Sequence, residues 1–186
     1  VTIGGGEGND YIYNVTKSNY TIDSSWGFVT INAGAGDDTI YSKDPNVSIS
    51  AGAGNDKISL GSTWGNITIA GGSGNDTVYT SSKRTKGLLL QYASGDGNDY
   101  ILNWKAADTL SVTSGTYSTV KSGKNVIVSV GTGRLTLQNT ADKVINFVKS
   151  SDTTIKSDSL AKVMRGGTGN DYIYSSTTSV TIDGGA

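Results

Sequence analysis

The 186-residue chain contains 26 glycines, a single proline and neither cysteine nor histidine. The missing Cys and His exclude a disulfide framework, a thiolate zinc site and the commonest general base, and a formal net charge of −1 leaves no basic surplus for nucleic acid. Fifteen of the sixteen acidic residues are Asp, which favours turns over helices, and no apolar run is as long as a membrane span. We therefore predict a turn-rich, all-β protein.

A nine-residue pattern occurs six times, beginning at Gly5, Ala33, Ala51, Gly71, Ser94 and Gly166. Its second and fourth positions are always Gly, its sixth is always Asp, and its eighth is Ile or Val. The first six residues predict a turn, and the last three predict a short strand whose middle side chain points inward. We name each turn by its first residue, so the Ala33 turn is residues 33–38. A second short strand precedes each turn, and in residues 29–31 apolar positions alternate with Thr.

The first interval, from Gly5 to Ala33, is much longer than the next one, from Ala33 to Ala51. It has room for one extra strand and turn, which would move the Gly5 turn to the opposite edge of the fold, or for an inserted hairpin. The sequence does not decide between these alternatives.

The later intervals run from Ala33 to Ala51, from Ala51 to Gly71 and from Gly71 to Ser94, and each is slightly longer than the one before. The shortest, at about 18 residues, suffices for two strands and two turns, which is one coil of a flattened solenoid. We therefore expect a parallel β-roll over residues 1–103, with about 18 residues per coil and the Asp-bearing turns stacked on one edge. The basic cluster at residues 83–86 is interpreted as a solvated loop.

The pattern is absent from residues 104–165, where strands are predicted around 109–112, 125–130, 134–138 and 144–148. The GTG at residues 131–133 predicts a hairpin turn, and residues 157–164 are a candidate short helix. We interpret this segment as an antiparallel β insertion. A further array is predicted over residues 166–186, where residues 180–185 repeat the opening of the chain, so we expect the chain to be part of a longer protein.

An Asp at the same place in stacked turns predicts a cation site. Adjacent strands lie about 4.8 Å apart, so the carboxylates would repel one another unless cations lay between them. Carboxylates and turn carbonyls are hard oxygen ligands in a flexible arrangement, which suits Ca²⁺ better than Mg²⁺ or Zn²⁺. The alternative is that each Asp only caps its turn.

The six motifs resemble the RTX family, the hemolysin-type calcium-binding repeats with the consensus GGxGxDxUx, where U is a large apolar residue. The resemblance implies a right-handed parallel β-roll in which each ion lies between two successive turns. One turn would supply the carbonyls of positions one and three and its Asp, and the next turn the carbonyls of positions two and four and its Asp. The ligand sets that follow are Ala33, Ala35 and Asp38 with Gly52, Gly54 and Asp56; Ala51, Ala53 and Asp56 with Gly72, Gly74 and Asp76; and Gly71, Ser73 and Asp76 with Gly95, Gly97 and Asp99.

For Asp10 and Asp171 both interpretations stay open, because each can lack a neighbouring turn. Trp26 and Trp64 lie in predicted turns away from the ions and are the candidates for contact with a ligand.

We expect a calcium-binding structural module of a secreted or surface-attached bacterial protein, such as an adhesin or a toxin, and not an enzyme. Calcium outside the cell would fold and stiffen it. The alternatives are an adhesive module that binds a cell-surface glycan or protein, and an accessory domain of a secreted enzyme.

Overall fold

The computed structural model describes residues 2–14, 28–143, 145–149, 154–157, 163–165, 172–175 and 181–183. The strands in these residues are β1 Thr2–Glu7, β2 Tyr11–Asn14, β3 Val29–Ala35, β4 Thr39–Ser42, β5 Val47–Ala53, β6 Lys57–Leu60, β7 Ile67–Ser73, β8 Thr77–Tyr79, β9 Leu88–Tyr92, β10 Asn98–Leu102, β11 Thr109–Val112, β12 Tyr117–Ser122, β13 Asn125–Val130, β14 Gly133–Leu137, β15 Asn146–Lys149, β16 Thr154–Ser157, β17 Val163–Arg165, β18 Tyr172–Ser175 and β19 Thr181–Asp183. The described residues contain no helix, and hence none long and apolar enough to cross a membrane. The all-β prediction is confirmed.

The strands form two sheets, which successive strands enter alternately from β1 to β10. One sheet has the order β1-β3-β5-β7-β9-β11-β15-β17-β19, and the other has the order β18-β16-β12-β13-β14-β10-β8-β6-β4-β2. Neighbours pair in parallel except in the two antiparallel pairs β12–β13 and β13–β14. Mostly parallel sheets of this kind are consistent with a β-roll.

The hydrophobic core lies between the two sheets, and the sequence pattern of each strand explains its register. At the start of β3, β5 and β7 the first and third side chains are apolar and buried, and Ile31 pairs with Ile49 and Ile49 with Ile69. Ile40, at the eighth position of its motif, lies in the same core from the other sheet. Each such side chain contributes about 1.5–3 kcal/mol on burial, and a shift of one residue would expose the whole row.

The Gly5 turn lies on the same edge as the later turns, because β1 pairs with β3 and β2 pairs with β4. The alternative that placed it on the opposite edge is therefore wrong. Residues 15–27, which contain the inserted segment, lie outside the described residues.

The insertion contains the predicted strands as β11, β13, β14 and β15. It also contains β12, β16 and β17, which were not predicted as strands. Only β12, β13 and β14 are antiparallel, whereas β11 and β15 extend the parallel sheet. The helix expected over residues 157–164 is wrong at both ends, because Ser157 lies in β16 and Met164 in β17. Residues 158–162 lie outside the described residues, and the domain boundaries stay a prediction.

Candidate metal centre

From the Ala33 turn to the Gly71 turn, successive turns stack so closely that a side chain at the second or fourth position would overlap the preceding turn. Gly52 has a φ of 120° and Gly54 a φ of 136°, both in the left-handed region. A methyl group on either residue would overlap the carbonyl oxygen of the glycine one turn earlier, Gly34 for Gly52 and Gly36 for Gly54. The paired glycines therefore bring backbone carbonyl oxygens directly against the next turn.

The carbonyl groups of each turn point alternately toward its two neighbours. Those of positions two and four face the following turn, as the contacts of Gly34 and Gly36 show. Those of positions one and three face the preceding turn: Ala33 O lies against Gly5, and Ala53 O accepts a hydrogen bond of 2.7 Å from the N–H of Gly36. The space between two turns is thus lined by carbonyl oxygens from both sides.

The Asp side chains form a continuous ladder along the edge. Oδ1 of Asp38 accepts the backbone N–H of Asp10 at 2.7 Å, and the same bond recurs from Asp38 to Asp56, from Asp56 to Asp76 and from Asp76 to Asp99 at 2.8–2.9 Å. The side chains of the last four are at most 6% exposed. Each carboxylate therefore reaches back to the preceding turn with one oxygen.

The second oxygen of these carboxylates is the unusual feature of the edge. Oδ2 of Asp10, Asp38, Asp56 and Asp76 is buried and has no hydrogen-bond partner among the described residues. A buried acceptor without a partner costs about 1–3 kcal/mol, and more when it is charged. Four such atoms at equivalent places indicate a site that an added group satisfies.

The electrostatics of the ladder also favour a cation. Burial, with a smaller contribution from the neighbouring Asp carboxylates, raises the pKa of Asp76 to about 7 and that of Asp99 to about 8. The pKa of Asp56 is raised for the same two reasons, burial being the larger. A cation between the turns would remove the repulsion and stabilise the ionised carboxylates.

A second ladder, which was not predicted from the sequence, runs along the fifth position of the motif. Oδ1 of Asp37 accepts the backbone N–H of Asn55 at 2.7 Å, and Oδ1 of Asn55 accepts that of Asn75 at 2.9 Å. The bonds of Asn9 and Asn98 continue the series. The signal was present in the sequence, because the fifth position is always Asn or Asp.

The donor set fits calcium. Within the described residues no group of three or more His, Cys, Asp or Glu side chains could hold a metal, so an ion here would combine two carboxylates with backbone carbonyls. Hard oxygen donors without nitrogen or sulfur are the ligands of Ca²⁺ and not of Zn²⁺.

The carbonyl directions differ from those that the predicted ligand pairing requires. The carbonyls of Ala33 and Ala35 face the Gly5 turn, and that of Gly52 faces the Gly71 turn, so they do not converge between the Ala33 and Ala51 turns. Gly34, Gly36, Ala51 and Ala53 occupy the positions whose carbonyls face that space. The second set differs in the same way. The carbonyl of Ala53 faces the preceding turn, where it accepts the N–H of Gly36, and the carbonyl of Gly52 faces the space between the Ala51 and Gly71 turns. The predicted carbonyls lie on the edge that carries the Asp ladder but face the neighbouring spaces, and which of them bind an ion stays a prediction.

The Ser94 turn departs from the others. A methyl group on Gly95 would meet nothing within 4 Å among the described residues, so Gly95 does not stack on Gly72. The carbonyl oxygen of Gly97 already accepts the hydroxyl of Tyr92 and the N–H of Arg134. The structure therefore does not bring Gly95 and Gly97 into the third predicted ligand set.

Asp171 and Trp26 lie outside the described residues, whereas the side chain of Trp64 is 42% exposed. The solvated-loop interpretation of residues 83–86 is wrong for Arg84, which is buried and paired with Asp108.

A scan against family models matches the RTX calcium-binding nonapeptide repeat in four copies, at residues 27–44, 46–62, 64–82 and 163–186. The chain carries RTX calcium-binding repeats. The RTX matches include the Ala33, Ala51, Gly71 and Gly166 turns, and they leave out the Gly5 and Ser94 turns. Comparison with curated proteins and with solved structures finds no match. The family description and the buried acidic edge both indicate a calcium-binding repeat module.

Proposed function

We propose that the chain is a structural calcium-binding module in which ions lie between successive RTX turns. The observation that carries this proposal is the row of buried Oδ2 atoms without partners at Asp10, Asp38, Asp56 and Asp76. The ions would lie between the Gly5 and Ala33 turns, the Ala33 and Ala51 turns, and the Ala51 and Gly71 turns. Each would take the two flanking Asp carboxylates and the carbonyls that face the space.

The architecture we propose is a right-handed β-roll with about 18 residues per coil, the separation of Asp38 from Asp56 in the ladder. It is supported by the alternation of strands between two sheets and by sheet partners one coil apart, such as Val29 with Val47. Parallel crossover connections are right-handed in nearly all proteins. The roll would occupy residues 1–103, with the β insertion at 104–165 and a further array from 166.

Calcium would couple binding to folding. An ion that binds only the folded state stabilises it by mass action, and extracellular calcium modules bind with affinities of order 10⁻⁴ to 10⁻³ M. Such sites are empty at cytoplasmic calcium and filled outside the cell. This favours a module of a secreted or surface-attached bacterial protein that carries no catalysis itself.

The first prediction is that calcium increases both the strand signal and the melting temperature of the chain. Circular dichroism and calorimetry would compare millimolar calcium, millimolar magnesium and a chelator. Magnesium should have little effect, because it demands tighter octahedral geometry than a flexible carbonyl cage offers. Identical melting curves with calcium and with chelator would refute the proposal.

Two isosteric substitutions locate the effect. Asp56→Asn and Asp76→Asn keep the Oδ1 acceptor but lose the charge, so each should reduce the calcium-dependent shift in melting temperature. Asp142→Asn is the matched control, since Asp142 is exposed on the insertion and its ionic partner among the described residues is the exposed Lys121. An equal loss in all three variants would mean that net charge, and not the ladder, determines the response.

The second candidate function is adhesion, which the exposure of the Trp64 ring favours, because aromatic faces stack on sugars. Binding on a glycan array that is lost in Trp64→Ala would support it, and an array without binding would leave the structural module.

An accessory role in a secreted enzyme would be decided by a catalytic domain adjoining the RTX repeats in the whole protein.

A further inference from the structure

The edge opposite the Asp ladder carries loops that become longer along the roll. Residues 43–46 connect β4 to β5, residues 61–66 connect β6 to β7, and residues 80–87 connect β8 to β9. The two longer loops, together with residues 103–108 before β11, contribute residues to a groove at this edge. The extra residues in each coil therefore create a surface feature that the tighter first coil lacks room for.

The groove has a volume of about 410 Å³ and crosses the first residues of β7, β9 and β11. Thr68, Leu89 and Thr109 line it from the strands, where they are paired with one another and half-buried. Asn66 and Lys86 line it from the loops, and both are exposed. A groove of this size lies within the range of about 300–1,000 Å³ that small-molecule sites occupy.

The loops around the groove are fastened to one another. The N–H and the hydroxyl of Thr85 both donate to the carbonyl oxygen of Thr63, at 2.7 and 3.0 Å, which joins the loop before β9 to the loop before β7. Gly87 lies so close to the loop before β11 that a methyl group on it would overlap the carbonyl oxygen of Ala107. A ligand would therefore not have to order these loops when it binds.

The buried ion pair of Arg84 and Asp108 also holds residues of the groove. The Arg84 guanidinium donates to the carbonyl oxygen of Lys86 at 3.1 Å, and Asp108 accepts the N–H of Leu88 at 3.0 Å. Both Lys86 and Leu88 line the groove. A buried ion pair is costly to desolvate, and this one fixes the backbone that carries the Lys86 ammonium.

The charges around the groove favour an anionic ligand. Among the described residues that line it, Lys86 carries the one charged side chain. The same loops add Lys83 and Lys105, whereas their acidic side chain, Asp108, is buried against Arg84. The loops therefore place a surplus of positive charge beside a groove that also offers hydroxyl and amide groups.

We propose that this groove binds a sugar that carries a carboxylate. Trp64 immediately precedes Gly65 in the groove wall and is exposed, so its ring is available to stack on the face of a pyranose. Asn66 and Thr68 would bond the sugar hydroxyls, and Lys86 would pair with the carboxylate. The inference rests on adhesion, the second candidate function, and needs no ion in the Asp ladder.

Methyl glucuronide and methyl glucoside test the inference, because they share a pyranose ring and differ in the carboxylate. NMR titration of the calcium-saturated chain with each sugar, at millimolar concentrations, measures the two affinities. We expect the glucuronide to bind about tenfold more tightly, which is the effect of one charge-assisted contact. Equal affinities, or no binding of either sugar, would overturn the inference and leave calcium binding, which the melting curves test separately, untouched.

Two substitutions and a matched control locate the site. Lys86→Gln should remove the preference for the glucuronide without changing the affinity for the glucoside, and Trp64→Ala should weaken the binding of both sugars. Lys83→Gln is the control, because Lys83 lies in the same loop and is exposed but does not line the groove. It should leave both affinities at the wild-type values. All three side chains are exposed, so unchanged melting temperatures would separate a loss of binding from unfolding.

Two outcomes of these variants would contradict the groove as the site. An equal loss of glucuronide binding in Lys86→Gln and Lys83→Gln would mean that the net charge of the loop attracts the sugar. Binding that neither Lys86→Gln nor Trp64→Ala changes would mean that the sugar binds elsewhere, for example to calcium ions at the Asp ladder. Either outcome would overturn the inference.

Discussion

At the scale of the residue, Gly52 shows why the motif tolerates so little change. Its φ of 120° already disfavours a side chain, and the carbonyl oxygen of Gly34 occupies the space that a Cβ would need. Gly95 occupies the same motif position with a φ of 103°, but it has open space around it among the described residues. Substitutions at these two glycines therefore distinguish the cost of backbone strain, which both share, from the cost of overlap with the preceding turn, which applies only at Gly52.

We therefore predict that Gly52→Ala is more destabilising than Gly95→Ala. The left-handed backbone costs about 1–2 kcal/mol for alanine at either position. At Gly52 the overlap with the preceding turn adds about 1–3 kcal/mol, because backbone must move. Urea denaturation in saturating calcium measures the difference, and equal losses would show that the turns have room to separate.

At the scale of the element, an ion pair fastens the connection between β8 and β9. The Arg84 guanidinium binds both carboxylate oxygens of Asp108, and these side chains are at most 1% exposed. Asp108 also accepts the backbone N–H groups of Leu88 and Lys105. The pair thus connects the β8–β9 loop to the loop before β11, at the edge opposite the Asp ladder.

We predict that Arg84→Ala lowers the free energy of unfolding by about 3–5 kcal/mol, because it leaves the Asp108 carboxylate buried without its cation. Lys121→Ala is the control. It removes the exposed partner of Asp142, which should cost less than about 1 kcal/mol. Denaturation of both variants in calcium tests the contrast, and a loss below about 1 kcal/mol for Arg84→Ala would mean that water reaches Asp108.

The elements differ in how far the sequence could predict them. The alternation in residues 29–31 and the recurring Ile at position eight determine strands, register and core, because the same pattern is repeated at each coil. The contact of the Tyr92 hydroxyl with the carbonyl of Gly97 could not be predicted, since the motif that follows Tyr92 is regular in sequence. Arg84 was misassigned for a similar reason: its partner Asp108 is 24 residues away and outside any repeat.

At the scale of the whole molecule, we expect protons and calcium to compete for the edge that carries the Asp ladder. In the calcium-free chain burial raises the pKa values of Asp56, Asp76 and Asp99, the last two to about 7 and 8, from an ordinary value near 4. Between pH 4 and 8 the folded chain therefore binds protons that the unfolded chain has released. Stability must then fall as the pH rises through this range.

We predict that the calcium-free chain is most stable near pH 4–5 and loses stability toward pH 8. The slope is at most about 1.4 kcal/mol per pH unit for each proton retained, and partial solvation of the edge makes it smaller. Saturating calcium should abolish the decline, because the ion replaces the proton and binds better as the carboxylates ionise. Urea denaturation at pH 5, 6, 7 and 8, with chelator and with calcium, measures both curves. Asp76→Asn should flatten the calcium-free curve, since the amide does not titrate, and a calcium-free stability that rises with pH would show that the ladder is already neutralised within the chain.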